Sequence, residues 1–189
     1  MDGVTAVVPG AGRSTRFGAM KLLADVDGCR LIERTVSALL DAGVTRVVVV
    51  SRDAAAFSGV ARLADPRVVT VVNAEPERGM FSSIQVGLAE AGGRVVLVLP
   101  ADMPFVSAAT VAAVAGRARE TGATVMPVHT GRRGHPIAIP QALCEALLTL
   151  PPTTTLKDGL AALTPAIEML DVDDPGVLRD VDVPADLAR

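Results

Sequence analysis

Six short runs rich in β-branched residues punctuate the chain: TAVVPG (5–10), RVVVVS (46–51), VVTVVN (68–73), RVVLVLP (94–100), ATVMPV (123–128) and IAIP (137–140). The first five are apolar without alternation. A strand with one wet face alternates apolar and polar residues, so an unbroken apolar run belongs in a parallel sheet covered on both faces. Between the runs lie stretches with apolar residues at helical spacing. LIERTVSALLDAG (31–43) ends on a glycine stop signal. SSIQVGLAEAGG (82–93) and SAATVAAVAGRARETG (107–122) each open on a serine in N-cap position. Strand–helix alternation of this kind predicts an α/β fold, a three-layer α/β/α, Rossmann-like arrangement with a doubly wound, mostly parallel sheet. No internal repeat or low-complexity linker divides the 189 residues, so the expectation is a single domain over 1–189. TLPPTTTLKDG (149–159) reads as the one loop-like break late in the chain.

Charge and composition exclude several classes of function. A net charge of −3 gives no global field toward nucleic acid or an anionic membrane. Cys29 and Cys144 are far apart, and with two histidines they show no zinc-ligand spacing. No apolar stretch reaches the roughly 18 residues of a membrane helix, and the N-terminus lacks a signal-peptide pattern. The expectation is a cytoplasmic protein with no nucleic-acid or membrane partner.

In doubly wound folds ligands bind beyond the carboxyl ends of the strands. The first such segment is PGAGRSTRFGAMK (9–21). A dinucleotide GxGxxG fingerprint fails at Thr15, and a Walker A loop fails at Ala19, which stands where lysine should follow Gly18. The ingredients of anion binding remain. Gly10 and Gly12 let backbone N–H groups come close to an anion, and Arg13, Arg16 and Lys21 add positive charge. Lysine is rare here: only Lys21 and Lys157 among 18 basic residues. A solvated basic loop and a phosphate cradle both satisfy this pattern. The second segment, LVLPADMPFVS (97–107), puts Asp102 before the turn that Pro104 enforces, at the same rim. A carboxylate opposite a triphosphate loop is the expected ligand of a hard divalent cation.

Five motifs in order carry a resemblance over nearly the whole chain. PGAGRSTRFGAMK resembles the signature LAAGxSxRMGxxK of the MobA-like nucleotidyltransferase family, and PADMPFV its GDMPxV metal motif. NAEPERGMFSSIQVGL (73–88), GRRGHPIAI (131–139) and DVDVPADL (180–187) are similar to three further elements of that family. Ala11, GMFSSI and RGHP match the molybdenum cofactor cytidylyltransferase branch, where the guanylyl-transferring enzymes carry a second glycine at the Ala11 position. Pro9, Gly10, Phe17 and Val183 depart mildly from the pattern. A G-D-x-G-A-R element near the acceptor is missing; only Asp158 and Gly159 match it.

The resemblance implies a nucleotide-diphospho-sugar transferase-like fold. It also implies transfer of CMP from CTP, the nucleoside triphosphate partner, to the phosphate of a molybdopterin-type acceptor, with release of pyrophosphate. Lys21, Arg16 and Asp102 are the expected catalytic residues. Pro9, Gly10, Ala11, Gly12, Arg13, Ser14, Asn73, Ser83, Pro100 and Ala101, with Lys21, are expected around the nucleotide. Asp102 and Asp182, with Asp180 as the fallback, are the expected ligands of Mg²⁺ or Mn²⁺. Gly79, Met80, Ser82 and His135 are expected on the acceptor side; Ser82 and Ser83 also read as plain helix caps, and His129 as a structural residue. A transient contact with molybdoenzyme maturation proteins is a further implication. Three other functions share these features: transfer to a sugar or alcohol phosphate, a GTP-using guanylyltransferase, and a non-catalytic nucleotide- or cofactor-binding protein.

Overall fold

The computed structural model describes residues 2–12, 21–163 and 166–188. In chain order the strands and helices are β1 (Val4–Pro9), β2 (Asp25–Val26), β3 (Cys29–Arg30), α1 (Leu31–Asp41), β4 (Arg46–Ser51), β5 (Val68–Val72), α2 (Met80–Glu90), β6 (Val95–Val98), α3 (Ala108–Thr121), β7 (Val125–His129), β8 (Arg132–Arg133), β9 (Ile137–Pro140), α4 (Gln141–Leu148), α5 (Leu156–Leu163) and β10 (Glu168–Asp171). The main sheet runs β10-β7-β9-β6-β1-β4-β5, with β8 paired to β7. The β1, β4, β5 and β6 ladders are parallel, as is β10 on β7. β9 runs against both β6 and β7, and β8 against β7. The sheet is thus mixed and mostly parallel, as expected.

The unbroken apolar runs follow from two covered faces. Val4, Ala6 and Val8 of β1 pack with α1 and α3 side chains such as Leu31, Leu39, Val111 and Val114. Val7, pointing the other way, packs with Phe81, Ile84 and Leu88 of α2 and, through the same core, with Leu147 of α4 and Leu160 of α5. All six β1 residues are buried. Burial of this kind contributes roughly 25 cal/mol per Å² of apolar surface.

Helix boundaries differ from expectation in two places. Ser107 does cap α3, accepting a hydrogen bond from Thr110 N, and Gly122 ends that helix in a left-handed conformation (φ +68°). Ser82, expected as an N-cap, instead lies inside α2. The cap is Gly79 at φ +105°, and Ser82 Oγ donates back to its carbonyl (2.8 Å). Glycine adopts that φ without the Cβ penalty, so the helix starts earlier than the serines suggest. The stretch expected as a loop (149–159) contains the start of α5. Thr155 Oγ1 accepts from Asp158 N (3.1 Å) and donates to Asp158 Oδ2 (2.7 Å), a helix-start box hidden in a threonine run.

α2 crosses β1 at Gly87, where an added Cβ would overlap Val7. Gly87→Ala gains about 1 kcal/mol of helix propensity but forces two close-packed elements apart, a cost of about 1–3 kcal/mol. The expected outcome is net destabilisation, checked by urea unfolding. A midpoint at or above that of the parent contradicts it.

At its far end the sheet stops at β5, whose residues are half-buried or exposed; Val72 is 45% exposed. No helix among the described residues is long and apolar enough to cross a membrane.

Candidate active site

The ends of β1, β4 and β6 are laced together. Pro9 O accepts from Ala101 N (3.2 Å), Gly10 N donates to Val50 O (2.8 Å), and Thr35 Oγ1 of α1 donates to Ala101 O (2.9 Å). Gly10 leaves no spare room: a Cβ there would lie 3.1 Å from Leu22 and 3.3 Å from Ala101. Above this floor opens a crevice of about 420 Å³. Pro9, Gly10, Ala11, Gly12, Lys21, Ala101, Asp102 and Asp182 line one part of it, and Gly79, Met80 and Ser83 the other. Residues widely spaced in sequence therefore share one cavity. Arg13, Ser14 and Arg16 lie outside the described residues.

At the centre is Lys21, 7% exposed. Its Nζ donates to Asp102 Oδ2 at 2.9 Å and to Asp182 Oδ1 at 3.1 Å. Burial by itself pushes the ammonium pKa down. The hydrogen bond and charge of Asp102, then those of Asp182, outweigh it and hold the pKa above its ordinary value. Two carboxylates thus converge on one point held by a cation. A pair of hard anionic oxygens around such a point fits Mg²⁺ or Mn²⁺, which take few protein ligands beside phosphate oxygens and water. Asp182 reaches this point because Val181 N donates to Asp102 O (2.9 Å), and Asp186 Oδ2 accepts from Asp182 N and Val183 N (both 2.9 Å). Asp180, two residues earlier, acts electrostatically on His135 instead.

The remaining expected residues divide by what they touch. Asn73 is buried; its Nδ2 donates to Ser82 Oγ (2.9 Å) and Ser83 Oγ (3.0 Å), and its Oδ1 accepts from Glu75 N (2.9 Å). Its side chain holds the start of α2 in place, and Ser83 is the member of the set that lines the crevice. Met80 is 58% exposed at the rim. Pro100 is buried behind Ala101. His135 N donates to Val177 O (3.0 Å), and burial pushes its imidazole pKa down, against the pull of Asp102 and Asp180. His129 is structural: Nδ1 bonds the Val172 carbonyl (3.0 Å).

One contributor was not read from the sequence. Arg52, next after β4, donates from Nη2 to Ala11 O (3.0 Å) and pins the first loop. An arginine directly after a buried strand was the available signal.

The model of the MobA-like NTP transferase domain matches residues 6–167. The phosphoenolpyruvate guanylyltransferase of Rubrobacter xylanophilus is 31% identical over 98% of this chain and 92% of its own length. The 2-C-methyl-D-erythritol 4-phosphate cytidylyltransferase of Saccharopolyspora erythraea is 40% identical over 66% of this chain and 59% of its own. Among solved structures, Rv0371c of Mycobacterium tuberculosis H37Rv superposes with TM-score 0.81 at 25% identity, over 100% of this chain and 96% of its own. That mycobacterial protein has also been solved in complex with manganese (TM-score 0.74, 23% identity, 99% of this chain and 97% of its own).

Proposed function

The chain belongs to the MobA-like NTP transferase family, and from that premise we infer that it joins CMP from CTP to the phosphate of a molybdopterin-type acceptor and releases pyrophosphate. The coarser activity, nucleotidyl transfer, follows from the family and from its curated relatives. The observation that carries the reading is the meeting of Lys21, Asp102 and Asp182 in a crevice floored by the glycine loop.

In this reading an acceptor phosphate oxygen attacks the α-phosphorus. The bond from that phosphorus to the bridging oxygen breaks, and pyrophosphate leaves with the electron pair. Such transfer asks the protein for placement and charge rather than covalent work. Gly10 N is spent on Val50 O, so among the described residues of this loop Ala11 and Gly12 offer the backbone that would approach the nucleotide. Asp102 and Asp182 would hold the divalent ion, which when bound neutralises charge on the triphosphate. Lys21 supplies a compact positive charge to the α-phosphoryl oxygens as their charge develops. Arg13 and Arg16 are assigned to the phosphates. His135, whose imidazole is held toward the neutral form by burial, is assigned to the acceptor side together with Gly79 and Met80.

Ala11 supports cytosine as the base. CTP is expected to be used over GTP by at least about tenfold in kcat/KM, equivalent to about 1.4 kcal/mol. Equal constants would sink the cytidylyl assignment and leave the reaction type standing.

A second reading, a different phosphorylated acceptor or GTP as donor, is favoured by the relatives' names and by α5 occupying the stretch where the family's acceptor element is missing. The deciding experiment is pyrophosphate release with each nucleoside triphosphate and Mg²⁺. It is run with molybdopterin-type cofactor, with phosphoenolpyruvate, or with a polyol phosphate. Release only in the cofactor arm supports the first reading, and release only in either other arm replaces it.

A further inference from the structure

Asp182 enters the crevice on a segment without strand or α-helix, 172–182, and most of what holds that segment lies away from the crevice. Asp174, 9% exposed, is its anchor. Oδ2 accepts from Ser107 N (2.9 Å) and Thr110 Oγ1 (2.7 Å) at the start of α3, and Oδ1 accepts from Gly176 N (2.9 Å). Beyond the anchor the segment is threaded tightly. A Cβ on Gly176 would overlap the Phe105 carbonyl, and one on Gly134 would overlap that of Val177. The Arg179 guanidinium lies over the Phe105 ring at 3.8 Å. The segment then bonds the Asp102 carbonyl through Val181 N, one residue before Asp182.

We infer that Asp174 is a positioning residue for the Asp102–Asp182 carboxylate pair, fastening the segment that carries Asp182 to the start of α3, which follows directly on the turn that carries Asp102. The inference rests on the metal-assisted reading above. Three donors converge on this one side chain. Only a carboxylate, with acceptor sites and no donor, satisfies them all; an amide turns its NH₂ against one. Burial alone would raise the Asp174 pKa, but the hydrogen bonds from Thr110, Ser107 and Gly176 hold it below its ordinary value.

The test uses the whole 189-residue chain, with Mn²⁺ as the probe, read by electron paramagnetic resonance in the presence of CTP or GTP. Asp174→Asn is expected to weaken Mn²⁺ binding at least about tenfold. Thr110→Val, which removes one donor at constant shape, should weaken it by a few-fold, and Thr110→Ser should restore it. Nucleotide binding without metal should stay at the parent level in all three. A purely structural anchor would lower the melting temperature and leave the Mn²⁺ affinity of the folded protein unchanged, which overturns the inference. If Asp174→Asn does not fold, the Thr110 pair decides in the same terms. A parent protein that binds no Mn²⁺ with either nucleotide overturns the underlying reading, and the inference with it; parent-like binding in the variants overturns the inference alone.

Discussion

Lys21→Ala is expected to lower kcat by about 10³-fold, the scale for losing one preorganised positive contact to a transition state, and at the same time to tighten divalent-ion binding in the absence of nucleotide. The two effects come from one geometry. Nζ stands 2.9 and 3.1 Å from two carboxylates and acts as their counter-ion. With the ammonium gone, the carboxylates face each other across a gap of cation size, and Mn²⁺ should enter roughly tenfold more readily. A generic surface lysine would show neither effect. Lys21→Arg separates charge from shape. The planar guanidinium keeps the charge but is bulkier, so turnover should fall well beyond any loss of CTP binding. Steady-state kinetics beside calorimetric CTP binding and a Mn²⁺ titration read all three quantities. If Lys21→Arg turns over like the parent, the role of the lysine reduces to generic charge.

Removing Asp102 should be at least as costly. Asp102 sits on a turn fixed by Ala101 N to Pro9 O and by Val181 N to its own carbonyl, so no neighbouring backbone can shift to supply a substitute oxygen. Asp102→Ala is expected to abolish measurable pyrophosphate release while the protein stays folded, because the side chain is partly solvent-exposed and contributes little to either core cluster. Asp182 is half-exposed. Its alanine variant should be impaired less, and raised Mg²⁺ should recover part of the rate. Near-parental release from Asp102→Ala contradicts the assignment. Circular dichroism of the same sample separates lost chemistry from lost fold.

The sheet was legible in the sequence because burial on both faces leaves a run with no polar alternation, as in VTAVVP of β1. α4, α5 and β10 were not. α5 hides behind Pro151 and Pro152 and a threonine run, and β10, half-exposed on one edge, has too mixed a pattern to declare itself. At the site, Lys21 lies 81 residues from Asp102 and 161 from Asp182, and no periodicity links such positions. They were brought together by motif resemblance, and the geometry then gave them a common point. Arg52 and Asp174 escaped notice for a different reason. Their partners include the backbone groups of Ala11, Ser107 and Gly176, and a backbone acceptor or donor leaves no mark on residue type.

The last strand of the sheet bears on how the protein behaves in bulk. Val68–Val72 carries no charge and no proline, the two devices that most often keep an open strand edge from recruiting another chain. Neither of the protein's two lysines is near it in sequence. The adjacent Arg67 is already tied to Asp65 and to the Leu40 carbonyl. Among the described residues no strand pairs with the outer edge of β5, so two molecules set edge to edge would meet along N–H and C=O groups flanked by valine and threonine side chains. Self-association along this edge at high concentration is therefore an expected outcome, and a single lysine on the exposed face, at Thr70, is expected to reduce it.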